Sequence, residues 1–144
     1  MPVAEIIATL NRQHSLAMPV EQVARQKEDY YLEILPQLQP VPEVLEHILH
    51  SHGHLPFAVV SGSTRESVTA SLSTLNLLDR FDTLVCAGEY KRSKPHPEAF
   101  LLAAAQLNVA PEFCLVFEDT EMGIQAATAA GMASVKIPQP WERT

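Results

Sequence analysis

Glu118 and Asp119 stand side by side at the end of the apolar run Leu115-Val116-Phe117, ahead of a short turn and an alanine-rich stretch. Adjacent carboxylates repel unless a cation or a hydrogen-bond donor compensates them. An all-oxygen pair of this kind suits a hard ion such as Mg²⁺. The local alternative is that Asp119 caps the following helix while Glu118 is a solvated strand end. A second loop, Ser61-Gly62-Ser63-Thr64, also follows an apolar run. Ser63 and Glu66 have capping-box spacing, which starts a helix at Ser63 and leaves Ser61 free. A hydroxyl followed by glycine at a helix start offers an O–H and open backbone amides to an anion, although an ordinary strand-to-helix turn has the same composition. A third loop, Gly88 to Pro97, places Lys91, Arg92 and Lys94 close together. The Pro95-His96-Pro97 bracket holds Lys94 just ahead of a helix start, within reach of a phosphate and a carboxylate; the alternative is a solvated basic loop.

The elements that must position these residues alternate. Strands are expected over 55–60, 83–87, 114–117 and 133–137, and helices over 64–75, 97–107 and 123–130. Such alternation implies parallel βαβ units with right-handed crossovers, and therefore an α/β, Rossmann-like parallel sheet with flanking helices. The three loops would then meet at the carboxyl edge of one sheet, where open α/β sheets bind ligands. Residues 1–39 are different: they read as two amphipathic helices, with Val3, Ile6, Ile7 and Leu10 on one face and a second helix beginning at Pro19 and stopping at Pro36. Pro40-Val41-Pro42 marks a junction, so the division is 1–39 and 40–144. A helix over 43–52 follows the junction and ends in His47, His50, His52 and His54, read as a solvated last turn favoured by the helix dipole rather than a zinc site. Trp141 and the charged end read as a short tail.

Composition narrows the function classes. The chain has 144 residues, enough for one domain with a real core, and is 47% hydrophobic with only 19% charged residues. A net charge of -7 argues against nucleic acid as a partner, since no broad basic surface exists to neutralise phosphates. An anionic substrate therefore needs a local basic cluster. Cys86 and Cys114 lie in or beside apolar runs and read as buried free thiols. No apolar run is long enough to cross a bilayer, and a soluble, cytoplasmic protein with no membrane partner is expected.

Taken in order, Val59-Val60-Ser61-Gly62-Ser63, Lys94-Pro95-His96-Pro97-Glu98-Ala99-Phe100 and Val116 through Ala127 resemble the second, third and fourth motifs of the haloacid dehalogenase superfamily. The resemblance is strongest to its β-phosphoglucomutase-like branch, which includes fructose-1-phosphatase-like enzymes. It implies an Mg²⁺-dependent phosphatase acting on a small phosphorylated sugar. Ser61 and the Gly62 amide would bind the phosphoryl group, Lys94 would neutralise it, Glu118 and Asp119 would hold the metal, and residues 1–39 would be part of a helical cap. A catalytically inactive phosphometabolite- or partner-binding relative and a phosphohexomutase are the alternatives.

One part of the pattern is absent. Members of the family begin with a strand ending in Asp-x-Asp-Gly-Thr, which supplies the attacking carboxylate and lies mid-sheet. This sequence contains no such segment; Asp29, Asp79 and Asp82 do not follow an apolar strand with Gly-Thr behind it. The resemblance thus implies a chain lacking its amino-terminal strand and first cap helices, unable to turn over by the family's route. It also implies a sheet that either closes over the missing strand or leaves a gap.

Overall fold

The computed structural model describes residues 3–142; the expected helix start at Met1 and the last two residues of the tail lie outside them. Helix α1 (Val3–His14) and helix α2 (Val20–Ile34) form the amino-terminal layer. Their connection is clasped by Asn11, whose Nδ2 donates to the Met18 carbonyl at 2.9 Å while its Oδ1 accepts from the Met18 amide at 3.0 Å. Pro19 sits at the entry to α2, and a short 3₁₀ turn containing Pro36 ends it, because proline supplies no amide to continue a helix.

From helix α3 (Pro42–Ser51) onward the chain alternates: strand β1 (Ala58–Val60), helix α4 (Arg65–Thr74), strand β2 (Thr83–Val85), helix α5 (Glu98–Leu107), strand β3 (Leu115–Glu118), helix α6 (Glu121–Ala129) and strand β4 (Ala133–Lys136). Each helix is started or stopped by a recognisable device. The Thr64 hydroxyl caps α4 and the Thr120 hydroxyl caps α6, accepting from the amides of Ser67 and Gly123, and Asn108 ends α5 in the left-handed region at φ 54°. The expected start of α4 at Ser63 is thus one residue early. Asp119 does not cap α6, because Thr120 takes that place. The first strand is shorter than expected, with Leu55 left 60% exposed and outside it.

Pairing is parallel throughout: β1 lies beside β2 with Val59 opposite Leu84, and β3 beside β4 with Phe117 opposite Val135. The single expected sheet is divided, however. The strands form two separate pairs, β1-β2 and β3-β4. The same helices nevertheless cover both. On one face Phe100 and Ala104 of α5 pack with Ala126 and Ala127 of α6 against Val60 and Val116. On the other, α3 sets Leu45 into the cluster holding Val59, Val68, Leu72 and Cys86, and stacks the His47 ring on Phe117 with centroids 5.3 Å apart. Alternation of side chains along each strand sends Val59 and Phe117 to one face and Val60 and Val116 to the other. The two pairs are therefore halves of one layer, and the boundary between β1 and β3 at its centre is a lane crossed by no ladder.

Candidate active site

The carboxyl ends of β1 and β3 and the loop before α5 converge at the mouth of that lane. Lys94 is held there with only 14% of its side chain exposed; its Nζ donates to Glu118 Oε1 at 2.6 Å and to the Val60 carbonyl at 3.4 Å, and lies 4.9 Å from the centre of the Phe100 ring. One ammonium thus ties together the ends of two strands that share no ladder. Of the other cations of its loop, Arg92 pairs with Glu98 at 3.0 Å, and the Lys91 backbone amide donates to the same carboxylate at 2.7 Å. Arg65 forms a fork on Glu89, at 2.7 and 2.9 Å.

Glu118 is 8% exposed and turned inward. Its Oε2 accepts from the Asp119 amide at 2.7 Å, the Thr120 amide at 2.9 Å and the Thr120 hydroxyl at 3.2 Å. The carboxylate lies across the first turn of α6 so closely that a Cβ on Gly123 would come within 1.9 Å of Oε1, which is why glycine is required there. Burial alone would raise its pKa, but the Lys94 ammonium, the Thr120 amide and the neighbouring Asp119 outweigh burial and hold it at about 2.

Asp119 faces the other way. It is exposed, with Oδ2 and its own carbonyl accepting from Gln139 Nε2 at 2.8 and 3.0 Å. Partial burial and the adjacent negative charge of Glu118 raise its pKa, against smaller opposing effects of a backbone amide and Gln139. A cation at Asp119 would relieve that repulsion. Among the described residues no group of three or more His, Cys, Asp or Glu side chains is placed to share a metal. One outward carboxylate nevertheless fits the habit of Mg²⁺, which keeps several waters and takes only one or two carboxylates alongside substrate phosphate.

Ser61 begins the remaining side of the site. Its amide donates to the Val85 carbonyl at 2.9 Å, its Oγ accepts from the Ser63 amide at 3.1 Å and its carbonyl accepts from the Tyr90 hydroxyl at 3.3 Å. With Oγ already an acceptor, the hydroxyl proton remains for an outside oxygen. Gly62 and Thr64 border a cavity of about 290 Å³ whose opposite wall is α2. That wall is anchored to the core: the Ser67 hydroxyl donates to Glu28 Oε2 at 2.5 Å and the hydroxyls of Tyr31 and Ser71 are 2.8 Å apart; α1 is tied separately, by Ser93 Oγ donating to Glu5 Oε2 at 3.0 Å.

The structure thus brings Ser61, Gly62, Lys94, Glu118 and Asp119 to one strand-end region, with Glu118 facing Lys94 and only Asp119 facing out. The histidines do not join it. His47 is stacked on Phe117, while His52 and His54 border a separate cavity of about 230 Å³ with Asp82, whose carboxylate accepts from the Phe57 amide at 2.8 Å. Cys86 and Cys114 are free thiols. Sequence reasoning missed Glu28, Ser67 and Gln139. A hydroxyl on the buried stripe of α4 was the one available signal for Ser67; nothing local marks the other two.

A family model described as haloacid dehalogenase-like hydrolase matches residues 4–131. Fructose-1-phosphate phosphatase YqaB of Escherichia coli (strain K12) is 37% identical over 139 residues, covering 94% of this chain and 70% of that protein. The phosphorylated carbohydrates phosphatase of Thermotoga maritima is 30% identical over 130 residues, covering 90% of this chain and 59% of that protein. Among solved structures, CbbY from Rhodobacter sphaeroides superposes with a TM-score of 0.86 at 22% identity, and β-phosphoglucomutase from Clostridium difficile with 0.80 at 25% identity; each comparison covers 99% of this chain and 67% of the other. The chain spans 56% to 70% of the length of the first three sequence relatives. No helix among the described residues is long and apolar enough to cross a membrane. With the motifs in order, the fold in common and the family model spanning most of its length, the chain belongs to the haloacid dehalogenase-like hydrolases.

Proposed function

We propose that this chain carries the phosphate- and metal-holding side of an Mg²⁺-dependent phosphatase for small phosphorylated sugars. The observation that carries the reading is the buried Lys94 ammonium, held between Glu118 and the end of β1 beside Ser61. An ammonium that donates to one carboxylate and one carbonyl retains a third donor for a phosphoryl oxygen. Ser61 Oγ and the Gly62 amide bind the same group, and positioning with charge neutralisation supplies most of the catalysis such a transfer requires. Asp119 is the metal-facing carboxylate; Glu118 serves the metal side indirectly, by fixing Lys94 and the turn that presents Asp119. When bound, Mg²⁺ supplies charge stabilisation at the transferred phosphoryl group. Residues 1–39 act as part of a cap over the core of residues 40–144, excluding water from the site.

The attacking carboxylate belongs in the lane between β1 and β3. The unjoined strand pairs support this, because the lane is flanked by helices on both faces and no ladder crosses it. The reading therefore includes one further strand, ending in Asp-x-Asp-Gly-Thr, that joins the halves. The names of the relatives, which act on fructose 1-phosphate and other phosphorylated carbohydrates, support a sugar phosphate as substrate. A non-catalytic sugar-phosphate- or partner-binding protein is the second reading. A phosphohexomutase shares the same core.

The test is phosphate release from a panel of sugar phosphates, with and without Mg²⁺, by the 144-residue chain and by a version extended with such a strand. We expect release only from the extended protein, dependent on Mg²⁺ and lost in Asp119→Asn. Mg²⁺- and Asp119-dependent release by the short chain would show that the attacking group lies within it. Failure of the folded, extended protein to release phosphate would overturn the phosphatase reading in favour of the second; transfer to a second sugar hydroxyl without release would mark a mutase.

A further inference from the structure

The tail beyond β4 is built around one side chain. Ile137 continues the pairing for one more residue, its amide donating to the Glu118 carbonyl at 2.8 Å. Gln139 follows between two prolines, which restrict the backbone on either side of it. Its amide donates to Glu142 Oε2 at 2.8 Å and its carbonyl accepts from the Glu142 amide at 2.8 Å, which closes a 3₁₀ turn over Pro140–Glu142. This turn aims the Gln139 side chain back across 20 residues at Asp119: Nε2 donates to Asp119 Oδ2 at 2.8 Å and to the Asp119 carbonyl at 3.0 Å. Both partners only accept, so the NH₂ end of the amide is the end that meets them. Apolar packing does not explain the placement, since Trp141, the large hydrophobe of the turn, is 78% exposed.

We propose that Gln139 is a positioning residue for Mg²⁺: by clasping Oδ2 to the Asp119 backbone it fixes the carboxylate with Oδ1 left for the ion. The inference rests on reading Asp119 as the metal-facing carboxylate. An NH₂ group that spans a carboxylate oxygen and the carbonyl of the same residue holds that side chain in one rotamer, so the ordering cost is met before the ion arrives. Oδ1 lies outside the clasp. An ionised carboxylate has about four lone-pair sites on its two oxygens, so one donor and one cation are accommodated together. Mg²⁺ asks for no more, since it takes one or two carboxylates and keeps several waters. The neutrality of the donor also matters. Asp119 stands beside the negative charge of Glu118, and a neutral N–H offsets part of that repulsion without adding a positive charge that would turn the ion away.

The test is titration of the isotopically labelled 144-residue chain with Mg²⁺ alone at fixed ionic strength, followed by NMR of the Asp119 and Thr120 amides and of the Gln139 side-chain NH₂. We expect the two backbone amides to shift with Mg²⁺, and the Gln139 NH₂ protons to keep the slow solvent exchange of a hydrogen-bonded amide in the saturated protein. Gln139→Met, which keeps the length of the side chain and removes the donor, and Gln139→Ala should each weaken Mg²⁺ binding about tenfold while leaving the amide shifts of the core helices in place. Tighter binding in both variants, with the Gln139 NH₂ of the native chain released as Mg²⁺ is added, would show that Gln139 competes with the ion and would overturn the proposal. Unchanged affinity in both variants overturns it equally. Asp119→Asn separates this inference from the reading beneath it. If that variant loses Mg²⁺ while neither Gln139 variant is weakened, the inference alone fails. If it binds Mg²⁺ as well as the native chain does, or if the native chain shows no Mg²⁺-dependent shift at Asp119 and Thr120, the metal reading of Asp119 fails and this inference with it.

Discussion

Glu118 and Asp119 are chemically near-identical neighbours, yet they have opposite surroundings, and burial divides them. Glu118, 8% exposed, meets an ammonium and three donors from the following turn, so its charge is stabilised in place. A buried ion pair of this kind contributes less through attraction than it would cost to break, because removing one partner strands the other charge in a dry site. Gly123 is the silent member of the arrangement. Gly123→Ala should gain up to about 1 kcal/mol of helix propensity, yet the new methyl would strike the Glu118 carboxylate. Overpacking of a tight site costs typically about 1–3 kcal/mol, so we expect a net loss in urea unfolding. The same variant should displace Glu118 from Lys94, visible as a changed environment of the Lys94 ammonium by NMR. An unchanged or raised stability would contradict the close approach of helix and carboxylate.

At the scale of elements, α2 is a helix with no buried residue, packed along α1 and tied to α4 by polar contacts. That makes its docking sensitive to charge. Burial raises the Glu28 pKa, but the hydrogen bonds from Ser67 and Lys27 and the Lys27 charge outweigh it, and the net shift is downward. A carboxyl whose folded pKa is depressed contributes stability that is present above the ordinary glutamate range, near about 4.3, and is lost as the pH falls through the folded value. The stability advantage of the native chain over Glu28→Gln should therefore be present at neutral pH and shrink as the solution is acidified below about pH 4. Chemical unfolding of both proteins at a series of pH values checks this; a gap that widens on acidification would show that the contact with Ser67 is not what orders Glu28.

For the whole molecule the consequence of two unjoined strand pairs is exposed hydrogen-bonding capacity at the centre of the layer. Strand edges left unpaired are sites for association and for local opening. Hydrogen exchange should be faster for the β1 and β3 amides that point into the lane than for those bonded to β2 and β4. An added strand that fills the lane should slow the first set and raise the melting temperature. Equal protection of both sets in the present chain would mean that the halves join in solution.

The order of elements was legible in the sequence because each depends on neighbours along the chain: alternating apolar runs, proline brackets, and hydroxyl residues ahead of helices. So was the placement of Ser61, Gly62 and the acidic pair at strand ends and of Lys94 ahead of a helix, since each follows from the apolar runs and prolines beside it. Boundaries slipped where two local solutions compete, as with Ser63 and Thr64 for the cap of α4. What only the tertiary structure decided is direction and distance across the chain. That Glu118 turns inward depends on Lys94, 24 residues away, and that Glu28 meets Ser67 depends on a contact across 39. The division of the sheet between β1 and β3 is likewise a matter of which edges meet, and local sequence holds no record of that, because hydrogen-bond partners in a parallel layer are chosen by the packing of distant segments.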